Sequence, residues 1–230
     1  MYTIHRGRNF IAIENFLTDD ESDELIKMPE PIKKIQETKT FDEYSTDEDK
    51  KELMIKLFDK FIKIIQDTHP PYDPYYKICE KVKGIFMNIK RLNLIRMHFK
   101  PFFENKAIDY HYDTWSNWNF ICSIGGPSIT ILKNYSCVMP DKSAYLFNGA
   151  EEIHAVSLIR DDKYIHDDTY RQCFQLRHYD HSAYIVNCLK NKGKIESKSF
   201  VKYKKRFEER KAKLINKAKK FITENSTVCT

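Results

Sequence analysis

Between Ala107 and Arg177 the chain breaks into short runs of strand-forming residues, each stopped by turn chemistry, and that punctuation leaves few folds open. Ala107–Asp113 (AIDYHYD) is followed by Trp118–Ile124, a Gly125-Gly126-Pro127 turn and Ser128–Leu132. Ser143–Phe147 (SAYLF) runs into Asn148-Gly149, among the strongest short turn signals, before Ile153–Ile159 extends again. Tyr170–Arg177 (YRQCFQLR) closes the series. Runs of this length, separated by Gly, Pro and Asn, read as consecutive antiparallel strands with tight reversals.

Strand alternation then decides which side chains can meet. In an extended segment His111 and Asp113 point the same way, about 7 Å apart along the chain. His154, just inside a strand after the Asn-Gly turn, sits where a barrel would have its mouth. Two histidines and one carboxylate on facing strands make the 2-His-1-carboxylate triad of non-heme Fe(II) oxygenases, which leaves positions open for cosubstrate and dioxygen. His178-Tyr179-Asp180 repeats the His-x-Asp spacing, so the spacing by itself is not diagnostic.

Tyr170–Arg177 carries Tyr170, Gln172, Phe174 and Leu176 on one face and Arg171, Cys173, Gln175 and Arg177 on the other. Two arginines on an interior face need anions, because unpaired buried charge costs several kcal/mol. Their α-carbons lie roughly 20 Å apart in an extended strand. Both long side chains can lean toward one dicarboxylate between them, and Arg grips a carboxylate as a planar fork.

The order His111-x-Asp113, His154, Arg171-x5-Arg177 resembles the AlkB-type branch of the Fe(II)/2-oxoglutarate dioxygenases, in which a pair of arginines at this spacing is characteristic. Phe147-Asn148-Gly149 … His154-Ala155-Val156 resembles that branch's Phe-Gly-Gly … His-Gly-Val segment, slightly shortened. Phe10–Leu25 resembles the strand-then-helix opening of the superfamily. The resemblance spans roughly residues 8–180, with its specific motifs confined to 111–177. It implies a mainly β fold, a double-stranded β-helix (jelly-roll-like) barrel with flanking helices. It implies Fe(II) held by His111, Asp113 and His154, 2-oxoglutarate as cosubstrate with Arg171 on its distal carboxylate and Arg177 near the metal, and dioxygen as oxidant. In such chemistry the keto acid is decarboxylated to succinate and a substrate C–H is hydroxylated; an N-methyl group then leaves as formaldehyde. The family's Asn-x-Tyr, which helps hold 2-oxoglutarate, is replaced here by Arg96 and His98 on the strand before the metal motif. Trp115 stands where nucleobase demethylases carry an acid, and with Trp118 it is a candidate for stacking on a planar substrate.

Two helices are expected before the barrel strands. Thr18-Asp19-Asp20-Glu21 fits a capping box that opens a helix through about Met28. Asp47–Asp67 sets Leu53, Leu57, Phe58, Phe61, Ile64 and Ile65 on one helical face, for packing on a sheet. His69–Tyr76 (HPPYDPYY) reads as a proline-stiffened linker that ends this helix.

The net charge of +6 conceals an asymmetry. Lys190–Lys220 holds 14 Lys/Arg against 3 Asp/Glu, while the rest of the chain holds 25 against 30. The basic segment has a helical period in Phe200, Tyr203, Phe207, Leu214, Ala218 and Phe221, with Ser197 or Ser199 as its cap. The organisation expected is a dioxygenase domain over residues 1–189 and a basic helical extension over 190–230. Clustered Lys/Arg is the charge a nucleic-acid backbone attracts, so oxidation or N-demethylation of nucleic-acid bases is the leading function. A protein or peptide hydroxylase on the same iron core, or a barrel that binds without turnover, are the rivals. No apolar run approaches the ~20 residues that span a membrane, and the start lacks the apolar core of a signal peptide. Six scattered cysteines without Cys-x-x-Cys suit thiols in a reducing, intracellular compartment, cytoplasmic or nuclear.

Overall fold

The computed structural model describes residues 2–27, 33–45, 51–88, 92–113, 116–132 and 135–179. Strands β1 (Ile4–Gly7) and β2 (Phe10–Ile13) pair antiparallel. Thr18 then caps α1 (Asp19–Ile26) by the expected reciprocal box: its hydroxyl accepts from the Glu21 N–H, and the Glu21 carboxylate accepts from the Thr18 N–H. A hairpin that the sequence pattern did not reveal, β3 (Lys33–Glu37) with β4 (Phe41–Ser45), comes next. Helix α2 (Lys51–Thr68) buries Met54, Leu57, Phe58, Phe61, Ile62 and Ile65 along one stripe, as expected for a helix laid on a sheet.

The expected linker after α2 is corrected by the structure. It contains the start of a third helix, α3 (Pro74–Phe86). The Asp73 carboxylate accepts from the Tyr75 N–H as N-cap, and Pro74 occupies the first turn, where its missing donor costs nothing. The remaining strands are β5 (Leu92–Phe99), β6 (Ile108–His111), β7 (Ser116–Gly125), β8 (Ser128–Leu132), β9 (Ser136–Met139), β10 (Ser143–Asn148), β11 (His154–Leu158) and β12 (Arg171–Tyr179).

These strands form two antiparallel sheets, one ordered β1-β2-β10-β7-β12-β5-β4-β3 and the other β6-β11-β8-β9. The fold is therefore mainly β and barrel-like, of the jelly-roll kind. The two turns read as tight hairpin reversals are instead corners between sheets. β7 and β8 flank Gly125-Gly126-Pro127 yet lie in different sheets, and so do β10 and β11 around Asn148-Gly149. Gly125 sits at φ 100°, and a Cβ on Gly126 would collide with the Tyr170 ring, so the chain can cross there only as glycine.

Alternation sorts the large sheet into two faces. Trp118, Phe120, Cys122, Ala144, Leu146, Phe174 and Leu176 turn outward and pack with α2 and α3. Ile95, Met97, Ile121, Tyr145, Phe147 and Cys173 turn inward, toward Leu132, Cys137, Met139 and Leu158 of the small sheet. Arg171 and Arg177 share the inward face with Cys173, as the sequence pattern requires. Cys79, Cys122, Cys137 and Cys173 are buried free thiols. Among the described residues no helix is long and apolar enough to cross a membrane. The basic segment 190–220, the boundary at 189/190 and Trp115 lie outside the described residues.

Candidate metal centre

His111 ends β6, His154 begins β11, and the two residues are direct cross-strand partners. Between them the register slips, with His154 opposite His111 but Val156 opposite Ile108. The extra residue is a bulge at Asp109-Tyr110. It turns His111 to the same side as the inward-facing Ile108, where plain alternation would have pointed it out. Asp113 follows two residues later, and its N–H donates to the Gly149 carbonyl at 2.9 Å, which ties it to the corner after β10.

The three side chains converge. Their ligand atoms all lie within 4.8 Å of one another. Asp113 Oδ1 is 3.6 Å from His111 Nε2 and 3.8 Å from His154 Nε2. His111 Nδ1 lies 2.8 Å from the Asp109 carbonyl, and His154 Nδ1 lies 3.0 Å from the Glu152 carbonyl. Each contact requires the proton on Nδ1, so each Nε2 presents a lone pair to the shared centre. The device is the same twice: a histidine donating to the carbonyl two residues before it.

Electrostatics favours a neutral His154 beside an ionised Asp113, and at His111 a bound cation would have to displace the proton that Asp113 favours. Burial works against charge on His111, but the Asp113 carboxylate outweighs it and holds this imidazole above its ordinary value. Burial and the neighbouring His111 push His154 down to about 4, so it is neutral and ready to ligate. Burial would raise Asp113, yet His154 and His111 hold its carboxyl well below the usual range. The Phe147 ring packs edge-on against His154 at 4.8 Å and leaves that side chain 7% exposed, while His111 is 36% exposed and faces the mouth. Two imidazole nitrogens and one carboxylate oxygen, with an open side at His111, suit a first-row divalent ion such as Fe(II).

The other expected site residues fall in different places. Arg177 is the arginine near the triad: its charge acts on Asp113 and both histidines, while Nη1 pairs with Glu43 at 3.0 Å and Nε donates to Gln175 at 3.0 Å. Arg171, 1% exposed, turns toward the opposite end of the barrel. It donates to the carbonyls of Gly126 (2.6 Å), Met139 (3.3 Å) and Pro140 (3.5 Å) and to the hydroxyls of Ser123 and Ser143. Arg96 and His98 do not reach the interior. Arg96 donates to Gln172 and stacks over Phe174 on the helix-facing side, and His98 lies against Tyr44. On β5 the inward residues are Ile95 and Met97, one position away from each. Trp118 is a core residue under the helices and faces away from the triad. His178, the decoy histidine, stands in β12, and Asp180 lies outside the described residues.

One residue of this centre was not singled out from sequence, and a second, Gly149, was read there only as part of a turn and of the family segment. Asn119, on the inward face of β7, donates to Asp113 Oδ2 at 2.5 Å. Gly149 flanks the same oxygen, and a Cβ there would collide with the carboxylate. A polar residue at the inward parity of NWNFICSI was the signal for Asn119.

At the level of sequence, no family model and no curated protein matches the chain. Among solved structures it is similar to a salicylate 1,2-dioxygenase from Pseudaminobacter salicylatoxidans, at 7% identity and TM-score 0.29, covering 44% of this chain and 23% of that one. It is also similar to the Fe(II) form of HppE, at 10% identity and TM-score 0.27, covering 37% of this chain and 42% of that one. A structure of the DMSP lyases RdDddP and RnDddQII matches at 11% identity and TM-score 0.26, covering 37% of this chain and 38% of that one. Likeness of that extent assigns no chemistry, which rests on the side chains themselves.

Proposed function

We propose that the protein is an Fe(II)- and 2-oxoglutarate-dependent dioxygenase. The observation that carries this reading is the convergence of His111, Asp113 and His154 with both Nδ1 protons fixed by backbone carbonyls. Iron in that triad would supply dioxygen activation coupled to decarboxylation of the keto acid. His154 and His111 would hold it through Nε2 and Asp113 through Oδ1, with the Phe147 ring packed over the His154 side.

The keto-acid part is supported by the sequence resemblance and by the charge of Arg177 beside the triad. Arg171 is buried at the other end of the barrel and makes no ion pair among the described residues; to grip the distal carboxylate of a keto acid held at the triad, its guanidinium would have to leave the Ser123 and Ser143 hydroxyls and turn inward. Arg177 supplies positive charge beside the triad. Nucleic-acid bases are the proposed substrate class, which rests on the sequence resemblance and on the excess of Lys/Arg in 190–220. The test is succinate release from 2-oxoglutarate without a prime substrate. Fe(II)-dependent release that His154→Ala abolishes is expected. Its absence in freshly reconstituted protein, or its persistence in the variant, refutes the assignment.

A further inference from the structure

We infer that Asn119 is a positioning residue which restricts Asp113 to one oxygen at the metal. The proposal rests on the metal centre described above and concerns the half of the carboxylate that the centre does not use. Its two oxygens are sharply divided. Oδ1 faces His111 Nε2 and His154 Nε2 at 3.6 and 3.8 Å. Oδ2 accepts from Asn119 Nδ2 at 2.5 Å and is walled on another side by the Gly149 α-carbon, where no side chain fits. Asn119 is 1% exposed and fixed in the middle of β7, paired with Phe147 on one side and Arg177 on the other. Its amide therefore cannot follow the carboxylate if Asp113 rotates.

The consequence concerns open positions. A carboxylate free to use both oxygens occupies two places on an octahedral ion, and two histidines then leave only two vacant. Held to one oxygen, it leaves three, which a chelating cosubstrate and dioxygen together require. Ordering of a ligating carboxylate by a hydrogen-bonding neighbour is the general means by which outer residues tune a metal. Here a neutral amide does this from the strand that also pairs with Arg177.

The experiment uses the full chain loaded with Mn(II), and counts metal-bound waters from the broadening that 17O-water causes in the Mn(II) resonance. The wild-type protein should hold three. Asn119→Leu, similar in size and without a donor, should hold two because Oδ2 swings onto the metal. Three waters retained in Asn119→Leu overturns the proposal while leaving the metal centre standing. Failure of wild-type protein to bind Mn(II) overturns the centre and the proposal with it. Should Asn119→Leu not fold, infrared difference spectra of wild-type protein with 13C-carboxyl aspartate decide alone. A separation of the two carboxylate stretches wider than in free carboxylate is expected on Mn(II) binding, and a narrower one contradicts the inference.

Discussion

Arg171 is the residue whose surroundings say most about what the barrel interior must accommodate. A guanidinium 1% exposed, held by three carbonyls and two hydroxyls, keeps its hydrogen bonds but has no counter-charge among the described residues. Arg171→Ala is expected to weaken 2-oxoglutarate binding about 10–100-fold, from about 1.5–3 kcal/mol for hydrogen bonds to charged groups. Metal affinity should be nearly unchanged, and Arg171→Lys should rescue only in part, because an ammonium cannot form the planar fork. Calorimetric titration of the Mn(II)-loaded protein with 2-oxoglutarate reads both. Unchanged 2-oxoglutarate affinity in Arg171→Ala would transfer the anion to Arg177, which already faces the triad. At this scale the sequence was informative about identity and poor about direction. Parity put Arg171 and Arg177 inside, yet only the packed structure shows that one guanidinium points to each end of the barrel. The Arg96 and His98 assignments failed by one residue of register, which in a strand moves a side chain to the other face.

Among the elements, the joint between α1 and α2 makes a pH-dependent contribution. The Lys60 ammonium lies 2.6 Å from Glu21 and also donates to the Phe16 carbonyl. Burial alone would raise the Glu21 pKa, but Lys60 and the Thr18 cap hold it below its ordinary 4.5. A carboxyl lowered on folding stabilises above its unfolded pKa, and that contribution is lost as pH falls through the folded value. Thermal midpoints of wild-type protein and Glu21→Gln should therefore differ at neutral pH, with the gap closing as pH falls through the lowered Glu21 value. Gln keeps the capping geometry, so the gap reads the charge alone. A gap independent of pH would mean that the substitution acts through packing or capping and not through the Glu21 charge.

Much of the element pattern was legible because it depends on local chemistry: the Thr18 box, the apolar stripe of α2 and the strand runs after residue 107. What escaped was non-local. Gly125-Gly126 and Asn148-Gly149 are genuine turns, but whether a turn closes a hairpin or a corner depends on which sheet the next strand joins. The bulge at Asp109-Tyr110 shows no Gly or Pro in sequence, yet it aims His111. Asp73-Pro74 carried a readable helix start that the surrounding prolines and tyrosines disguised as linker.

For the molecule as a whole, charge separates the part described from the part that follows it. The 14 Lys/Arg of 190–220 outweigh 3 acids, whereas the remaining chain is net acidic. Reversing Lys204, Lys205, Lys211 and Lys213 to Glu should lower affinity for single-stranded DNA or RNA. It should also flatten the salt dependence by about 0.7–0.9 in log–log slope for each phosphate no longer neutralised. Uncoupled succinate release should survive, since none of the triad lies there. Unchanged binding and slope would make the basic segment a solubilising feature and remove the support it gives to a nucleic-acid substrate.

The proposed oxygenase chemistry depends on one centre, and one optical measurement addresses it. Anaerobic wild-type protein given Fe(II) and 2-oxoglutarate should develop the weak visible charge-transfer band of a keto acid chelated to iron. His111→Ala, Asp113→Ala and His154→Ala should each lose it, because the facial triad has no spare ligand. A band of undiminished intensity in the three variants would contradict the centre outright, as would its absence from wild-type protein that binds both iron and 2-oxoglutarate.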